Sequence, residues 1–373
     1  MPDNQLKEKN KIFGLDLMRV LAILLVLAAH ILWIYQDYSN LLTKAINFSG
    51  FIGVELFFVL SGFLIGKSLL KLFVNPDYNY KYASIFLRRR WFRIMPNYLL
   101  VLILNIAVFS YLGYQIEGAW KYFFFLQNFI HPMLPFFPES WSMSIKEIPY
   151  FLLPFAFLLL ARIKGANRNR LFLLTIIGSI ALVMLAKVEY HLRTDNHTLA
   201  AWNVSLRSVA LYRIDAVMLG ILASWIQYNF LHIWTKSVWF GLVLSQMILG
   251  ALAYLVGFVK LPIEQYPVFW NLLFLPLISV AAALMLPFFA QWKSAPDALR
   301  KPVQFLGAVS YSVYLLHYSF VLYLMKYFID TYYMDLWQLH TFTVLYLTVT
   351  FVVSWCLYEF FERPLMKIRD ERI

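Results

Sequence analysis

The stretch GLDLMRVLAILLVLAAHILWIYQ (Gly14–Gln36) decides the fold. It is long enough to cross bilayer hydrocarbon as a helix, yet it contains Asp16, Arg19 and His30. A charged side chain in that environment costs at least a few kcal/mol, so such residues mark function by default. Arg19 and His30 are eleven positions apart. At 100° per residue they return to within about 20° of one face, with a rise of roughly 16 Å. One face of this helix thus carries an arginine at one depth and a histidine at another.

The rest of the chain extends this reading. Of 373 residues, 61% are hydrophobic and 14% charged, and the mean hydropathy is +0.66. Soluble domains carry about 25% charged residues, so the composition specifies an all-α polytopic membrane protein. Spans are expected near 13–36, 50–72, 94–113, 142–162, 171–188, 207–227, 237–258, 267–288, 302–326 and 339–362, about ten helices. The fourth opens on a polar turn, and the sixth contains Arg213 and Asp215. Between the third and fourth, WKYFFFLQNFIHPMLPFFP is apolar but broken by Pro132, Pro135 and Pro138. It reads as a re-entrant or interfacial segment. The N-terminus does not read as a cleavable signal, because its apolar run is long, carries charge and lacks a small-residue cleavage site.

Lysine and arginine set the orientation. With the N-terminus in the cytoplasm, the cytoplasmic segments hold Lys7, Lys9 and Lys11, then Lys81 and Arg88–Arg93, then Arg162–Arg170, Lys293–Lys301 and Lys367–Arg372. The opposite loops hold few, among them Lys44, Lys121, Arg193 and Lys260. Both termini, as tails 1–12 and 363–373, are therefore expected in the cytoplasm. The basic residues follow topology, so the net charge of +12 does not indicate nucleic acid. The single cysteine, Cys356, excludes an intrachain disulfide and a cysteine metal cluster. No metal or bound cofactor is expected.

Counting depth along each helix at 1.5 Å per residue places His30, Glu55, Glu147, Arg213 and His317 in one outer layer, from five different helices. That convergence suits acyl transfer. A histidine beside a carboxylate can take a proton from a sugar hydroxyl while the carboxylate fixes its tautomer. An arginine can hold the oxyanion formed when that hydroxyl attacks a thioester. Arg19 lies in the inner half, where an anionic donor arrives. In FLRRRWFRIMP (Phe86–Pro96), Arg90 and Arg93 stand one helical turn apart and can grip phosphate. Plainer readings stand beside these. His30 can be a packing histidine, Glu55 a partner for some buried cation, and Arg88–Arg93 a topological anchor. Glu359 and Arg363 are spaced for an ordinary i,i+4 pair, and Gly53 and Ser61-Gly62 for close helix approach. His131, His191, His197 and His232 fall in loops or at helix ends and receive no role.

The chain resembles the acyltransferase 3 family of integral membrane acyltransferases, which includes O-antigen and other bacterial glycan O-acetylases. The matching stretches are GLDLMRVLAILLVLAAH, GVELFFVLSGFLIG (Gly53–Gly66), FLRRRWFRIMP, WSMSIKEIPYFLLP (Trp141–Pro154), YRIDAVMLG (Tyr212–Gly220), SYSVYLLHYSF (Ser310–Phe320) and YEFFERPL (Tyr358–Leu365). Each is weak alone; their order along the chain is specific. The resemblance implies a ten-helix fold in the bacterial inner membrane, with a cytoplasmic acyl-CoA donor, acetyl-CoA in the first instance. The acceptor it implies is an envelope or lipid-linked carbohydrate on the far side. The family's arginine–ten residues–histidine signature falls on Arg19 and His30, its R-x-x-R on Arg90 and Arg93, and its acidic residue on Glu55. Lys146 stands where a glutamate is usual, with Glu147 next to it, and Pro149 replaces an aromatic residue. Many members carry a fused extracytoplasmic esterase-like domain; residues 1–373 read as the membrane domain alone. The expected activity is O-acyl transfer with His30 and Glu55 catalytic and Arg19, Arg90 and Arg93 on the donor. Glu147, Arg213 and His317 are then acceptor or oxyanion candidates. The competing class is a glycan exporter with the polar layer as its binding site. Exporters favour paired broken helices in two halves, and the sequence lacks that pairing.

Overall fold

A computed structural model describes residues 12–35, 40–132, 135–195 and 198–372, with the backbone alone described for 370–372. The expected N-terminal tail with Lys7, Lys9 and Lys11, His197, and the side chain of Arg372 lie outside the described residues. The described chain is helical, with no strand among those residues. Its long helices are α1 (Phe13–Ile31), α2 (Leu41–Val74), α3 (Tyr80–Tyr111), α4 (Trp141–Leu160), α5 (Arg168–Arg193), α6 (Ile214–Asn229), α7 (Val238–Tyr254), α8 (Leu275–Gln291), α9 (Asp297–Leu316), α10 (Leu336–Leu357) and α11 (Arg363–Arg372). Nine helices among the described residues are long and apolar enough to cross a membrane.

The sixth expected span is the one that falls short. Residues 207–227 do not form one helix. A π turn (Asn203–Arg207) and a 3₁₀ turn (Ala210–Tyr212) precede α6, which has 16 residues and so a length of about 24 Å. Two other starts lie upstream of the apolar runs. Asn40 Oδ1 accepts from Thr43 N at 2.8 Å and begins α2 nine residues early. Asn79 Oδ1 accepts from Lys81 N at 2.9 Å and begins α3. The arginine cluster 88–93 therefore lies inside a helix, with its side chains at fixed angles.

Glycines bring α1, α2 and α6 together. A Cβ on Gly53 would come within 2.7 Å of the Ala22 carbonyl oxygen. A Cβ on Gly62 would collide with the Val217 carbonyl, and one on Gly220 with that of Val59. Small residues at these crossings let backbones approach closely, as membrane helices require. Around this centre α8 and α9 are largely buried. In contrast, α5, α7 and α10 bury only 22%, 17% and 17% of their most apolar stretches, leaving outward faces suited to lipid.

The proline-broken segment before α4 is indeed no helical span. Two 3₁₀ turns, Ala119–Phe124 and Pro138–Ser140, flank chain that enters the protein and buries Tyr122, Phe136 and Phe137. Non-helical backbone at membrane depth needs internal partners, and they are present. Tyr98 OH donates to Tyr122 O at 2.9 Å, Gln127 to Ser140 O at 3.2 Å, and Asn128 to the carbonyls of Trp141 and Ser208. Ala210 N and Leu211 N donate to the carbonyls of Asn128 and Phe129. As a result α4 starts inside the protein, not at its surface.

Candidate active site

The last turn of α1 presents His30, and α9 passes into a π-helical turn (His317–Tyr323) that presents His317. The two imidazoles meet edge to face, with ring centroids 4.8 Å apart. Each Nδ1 lies 2.8 Å from a carbonyl of its own helix, Val26 O for His30 and Tyr314 O for His317. A carbonyl only accepts, so both Nδ1 atoms carry hydrogen in the neutral rings, and Nε2 holds the lone pair. His30 thus has the tautomer of a general base. Tyr318 packs its ring 4.9 Å from that of His30.

Glu55 is not the group that orients His30. It is buried in an ion pair with Arg213 Nη2, and its other oxygen accepts from Ser279 Oγ at 2.5 Å. Arg213 precedes α6, which the glycine contacts press against α2, so the guanidinium reaches Glu55 directly. Beside it, Lys187 of α5 pairs with Asp215 of α6, both buried. The expected histidine–carboxylate pair is replaced by a histidine held by its own backbone and a carboxylate held by an arginine.

Glu147 departs from the expected layer for a similar reason. Because α4 begins inside the protein, Glu147 lies beside α3, where Arg90 grips it through two bonds, Nε to Oε2 at 2.9 Å and Nη2 to Oε1 at 2.8 Å. The Arg90 guanidinium also lies 3.8 Å over the Tyr150 ring. Arg90 is thereby fixed in place, while Arg93 one turn further on points into the same space.

That space is a cavity of about 730 Å³. Arg19, Arg90, Arg93 and Lys146 line it from α1, α3 and α4; Arg363, Lys367 and Arg369 line it from α11. Among the described residues two carboxylates line it, Asp16 and Glu362. Asp16 accepts from Arg19 at 2.7 Å, and Glu362 accepts from Asn97 at 2.6 Å and Ser312 at 2.9 Å. Arg90 and Arg363 are also paired, with Glu147 and Glu359, so seven cations stand against four acids, and the excess of positive charge makes a site for a polyanion. The opposite end of the cavity is walled by Ser142 and Tyr314. The Tyr314 ring lies 5.6 Å from that of His317. One aromatic ring therefore separates the basic cavity from the histidine pair.

Sequence reasoning missed three contributors. Arg207, in the π turn before α6, lies 4.3 Å over the Phe51 ring and 5.1 Å over that of Trp141, within electrostatic range of His30, Glu55 and Tyr314. Its available signal was a basic residue in a loop series otherwise poor in them. The α11 cations read as a tail. Glu139 lies in the proline-broken segment, where it accepts from Ser319 N at 3.0 Å and Ser319 Oγ at 2.6 Å and so pins the turn that carries His317.

Comparison with known proteins gives the family. A family model described as an acyltransferase domain matches residues 12–359. The chain is 26% identical over 382 residues to the peptidoglycan O-acetyltransferase OatA of Listeria monocytogenes, covering 95% of this chain and 56% of that protein. It is 26% identical over 374 residues to the putative peptidoglycan O-acetyltransferase YrhL of Bacillus subtilis, covering 94% of this chain and 54% of that protein. The chain spans about half the length of these curated relatives. No solved structure matches significantly. With the family match running from the first helix to the last span, this chain belongs to the acyltransferase 3 family of membrane proteins.

Proposed function

We propose that this chain moves an acetyl group from acetyl-CoA, held in the basic cavity, to a hydroxyl of an envelope glycan of the peptidoglycan type. The observation that carries the proposal is the position of the His30–His317 pair one aromatic ring, that of Tyr314, beyond a cavity lined by seven cations. In the proposed orientation that basic mouth and both tails face the cytoplasm of a bacterial inner membrane, a reading supported by the lysine and arginine asymmetry.

The reaction follows from the residues. Arg93, Arg19 and the α11 cations bind the phosphates of the donor, and Arg90, locked on Glu147, keeps the wall rigid. The thioester passes Tyr314 and Ser142 to reach the histidines. The acceptor hydroxyl enters from the opposite end and gives its proton to His30 Nε2 as its oxygen attacks the carbonyl carbon. A carbon–oxygen bond forms, and the carbonyl pair moves onto oxygen. Arg207 holds that oxyanion, since Arg213 is engaged by Glu55. Collapse breaks the carbon–sulfur bond, and His30 returns the proton to the thiolate. The products are an acetyl ester and free CoA.

The test is reconstitution. Purified protein in liposomes is given radiolabelled acetyl-CoA and a soluble peptidoglycan fragment. Transfer of label into base-labile ester on the fragment is expected. Labelled donor bound but never transferred to any glycan would contradict the proposal.

A further inference from the structure

His30 sits near one end of α1, and the face of the histidine pair away from the cavity leads to a short aromatic series. The Tyr318 ring packs 4.9 Å from His30, and the Trp33 ring packs 5.8 Å from Tyr318, both edge to face. Trp33 lies in the 3₁₀ turn that ends α1 (Leu32–Ile34), three residues and about 5 Å beyond His30. Its side chain is 56% exposed, whereas its neighbours Leu32 and Ile34 are buried.

The backbone beneath Trp33 is tied down. Lys326 Nζ donates to the Trp33 carbonyl. Tyr35 OH, two residues on, bonds His340 Nδ1 at 2.8 Å and Thr343 Oγ1 at 3.1 Å on α10. An exposed indole is thus set on a turn fixed by Lys326 at its own carbonyl and by His340 and Thr343 at Tyr35, two residues on.

We infer that Trp33 and Tyr318 form the acceptor subsite, a stacking platform for a pyranose ring that delivers its hydroxyl to His30. The inference rests on the acetyl-transfer reading above and adds the acceptor's seat to it. A pyranose has an apolar face of axial C–H bonds, slightly positive, which suits the electron-rich face of an indole. Its rim of hydroxyls suits the hydrogen-bonding groups of Lys326, Tyr35 and His340. The spacing runs from Trp33 to Tyr318 at 5.8 Å and on to His30 at 4.9 Å, so a sugar stacked on Trp33 seats the next sugar of the same chain over Tyr318, where its hydroxyl can reach the base. A tryptophan serving only as an interfacial anchor would have no bearing on the affinity for a soluble sugar.

The experiment uses the reconstituted full chain, labelled acetyl-CoA and a soluble β-1,4-linked N-acetylglucosamine tetramer. Trp33→Ala is expected to raise the acceptor KM roughly tenfold, the equivalent of one stacking contact. The KM for acetyl-CoA and the slow hydrolysis of donor without acceptor should stay at wild-type values. Trp33→Phe, which keeps a ring and serves if the alanine variant fails to accumulate, should raise acceptor KM by about threefold. An acceptor KM unchanged in both variants would overturn the platform, as would equal rises in acceptor and donor KM. A wild-type protein that hydrolyses donor but acetylates no sugar would overturn the transfer reading itself, which an unchanged Trp33 variant would not.

Discussion

The cavity around Arg93 and the buried layer around Glu55 are built from the same residue types and differ in how the charges are matched. In the buried layer each acid has its cation: Glu55 has Arg213, and Asp215 has Lys187. Ser279 completes Glu55. These four ionisable side chains are essentially removed from solvent, and they tie α2, α5, α6 and α8 together. In the cavity seven cations outnumber the four acids that meet them, Asp16, Glu147, Glu359 and Glu362. The first arrangement is closed and holds helices in register. The second is left short of negative charge, which a phosphate-bearing ligand supplies. Intramembrane charge alone does not identify a functional site; a cluster with an excess of one sign does so better.

The contrast can be broken by mutation, and the largest effect is expected in the closed layer. Arg213→Ala leaves Glu55 buried without its cation, which for a broken buried pair costs about 3–5 kcal/mol. Thermal unfolding in detergent should show a large drop in midpoint, and part of it should return when Glu55→Gln is added. A midpoint like that of wild type would place the pair outside the structural core. Arg93→Ala should do the reverse. Its fold should hold, because the cavity loses a repelling cation, while binding of a non-hydrolysable acetyl-CoA analogue weakens by roughly tenfold or more, one charge-assisted contact to phosphate. Calorimetry on the purified variant checks this.

The same contrast explains how far the sequence was readable. The first helix and the non-helical segment before α4 were legible, because hydrophobic length and proline position act locally. The partners of Glu55 and Glu147 were not. Counting depth from helix ends assumes that every helix starts at the membrane surface, and α4 starts inside the protein on a buried loop. Its Glu147 therefore meets Arg90 on α3 rather than the histidines. The sixth span was misjudged because the 3₁₀ turn that interrupts it, Ala210–Tyr212, is apolar and marks no break in hydropathy. Arg207 belongs to the π turn before it, and His317 opens another π turn. Such turns arise from tertiary packing and cluster at functional sites.

A smaller effect sharpens the comparison further. Donor affinity should fall a few-fold as salt rises from about 0.05 M to 0.5 M, because the cavity is open and screening acts over about 10 Å at 0.1 M. The unfolding midpoint should move little over that range, because buried pairs are screened far less. A midpoint that follows the donor affinity would show that the closed layer is wet.

The central claim is that His30, in the pair beyond the basic cavity, is the base that activates the acceptor. It is tested most directly by single-turnover acetyl transfer with His30→Ala, at equal abundance and with bound acetyl-CoA confirmed. Transfer to the glycan fragment should fall by about 10²–10⁴-fold, the usual loss for a placed general base, with donor affinity unchanged. Transfer at the wild-type rate by folded, donor-loaded His30→Ala protein would contradict the account.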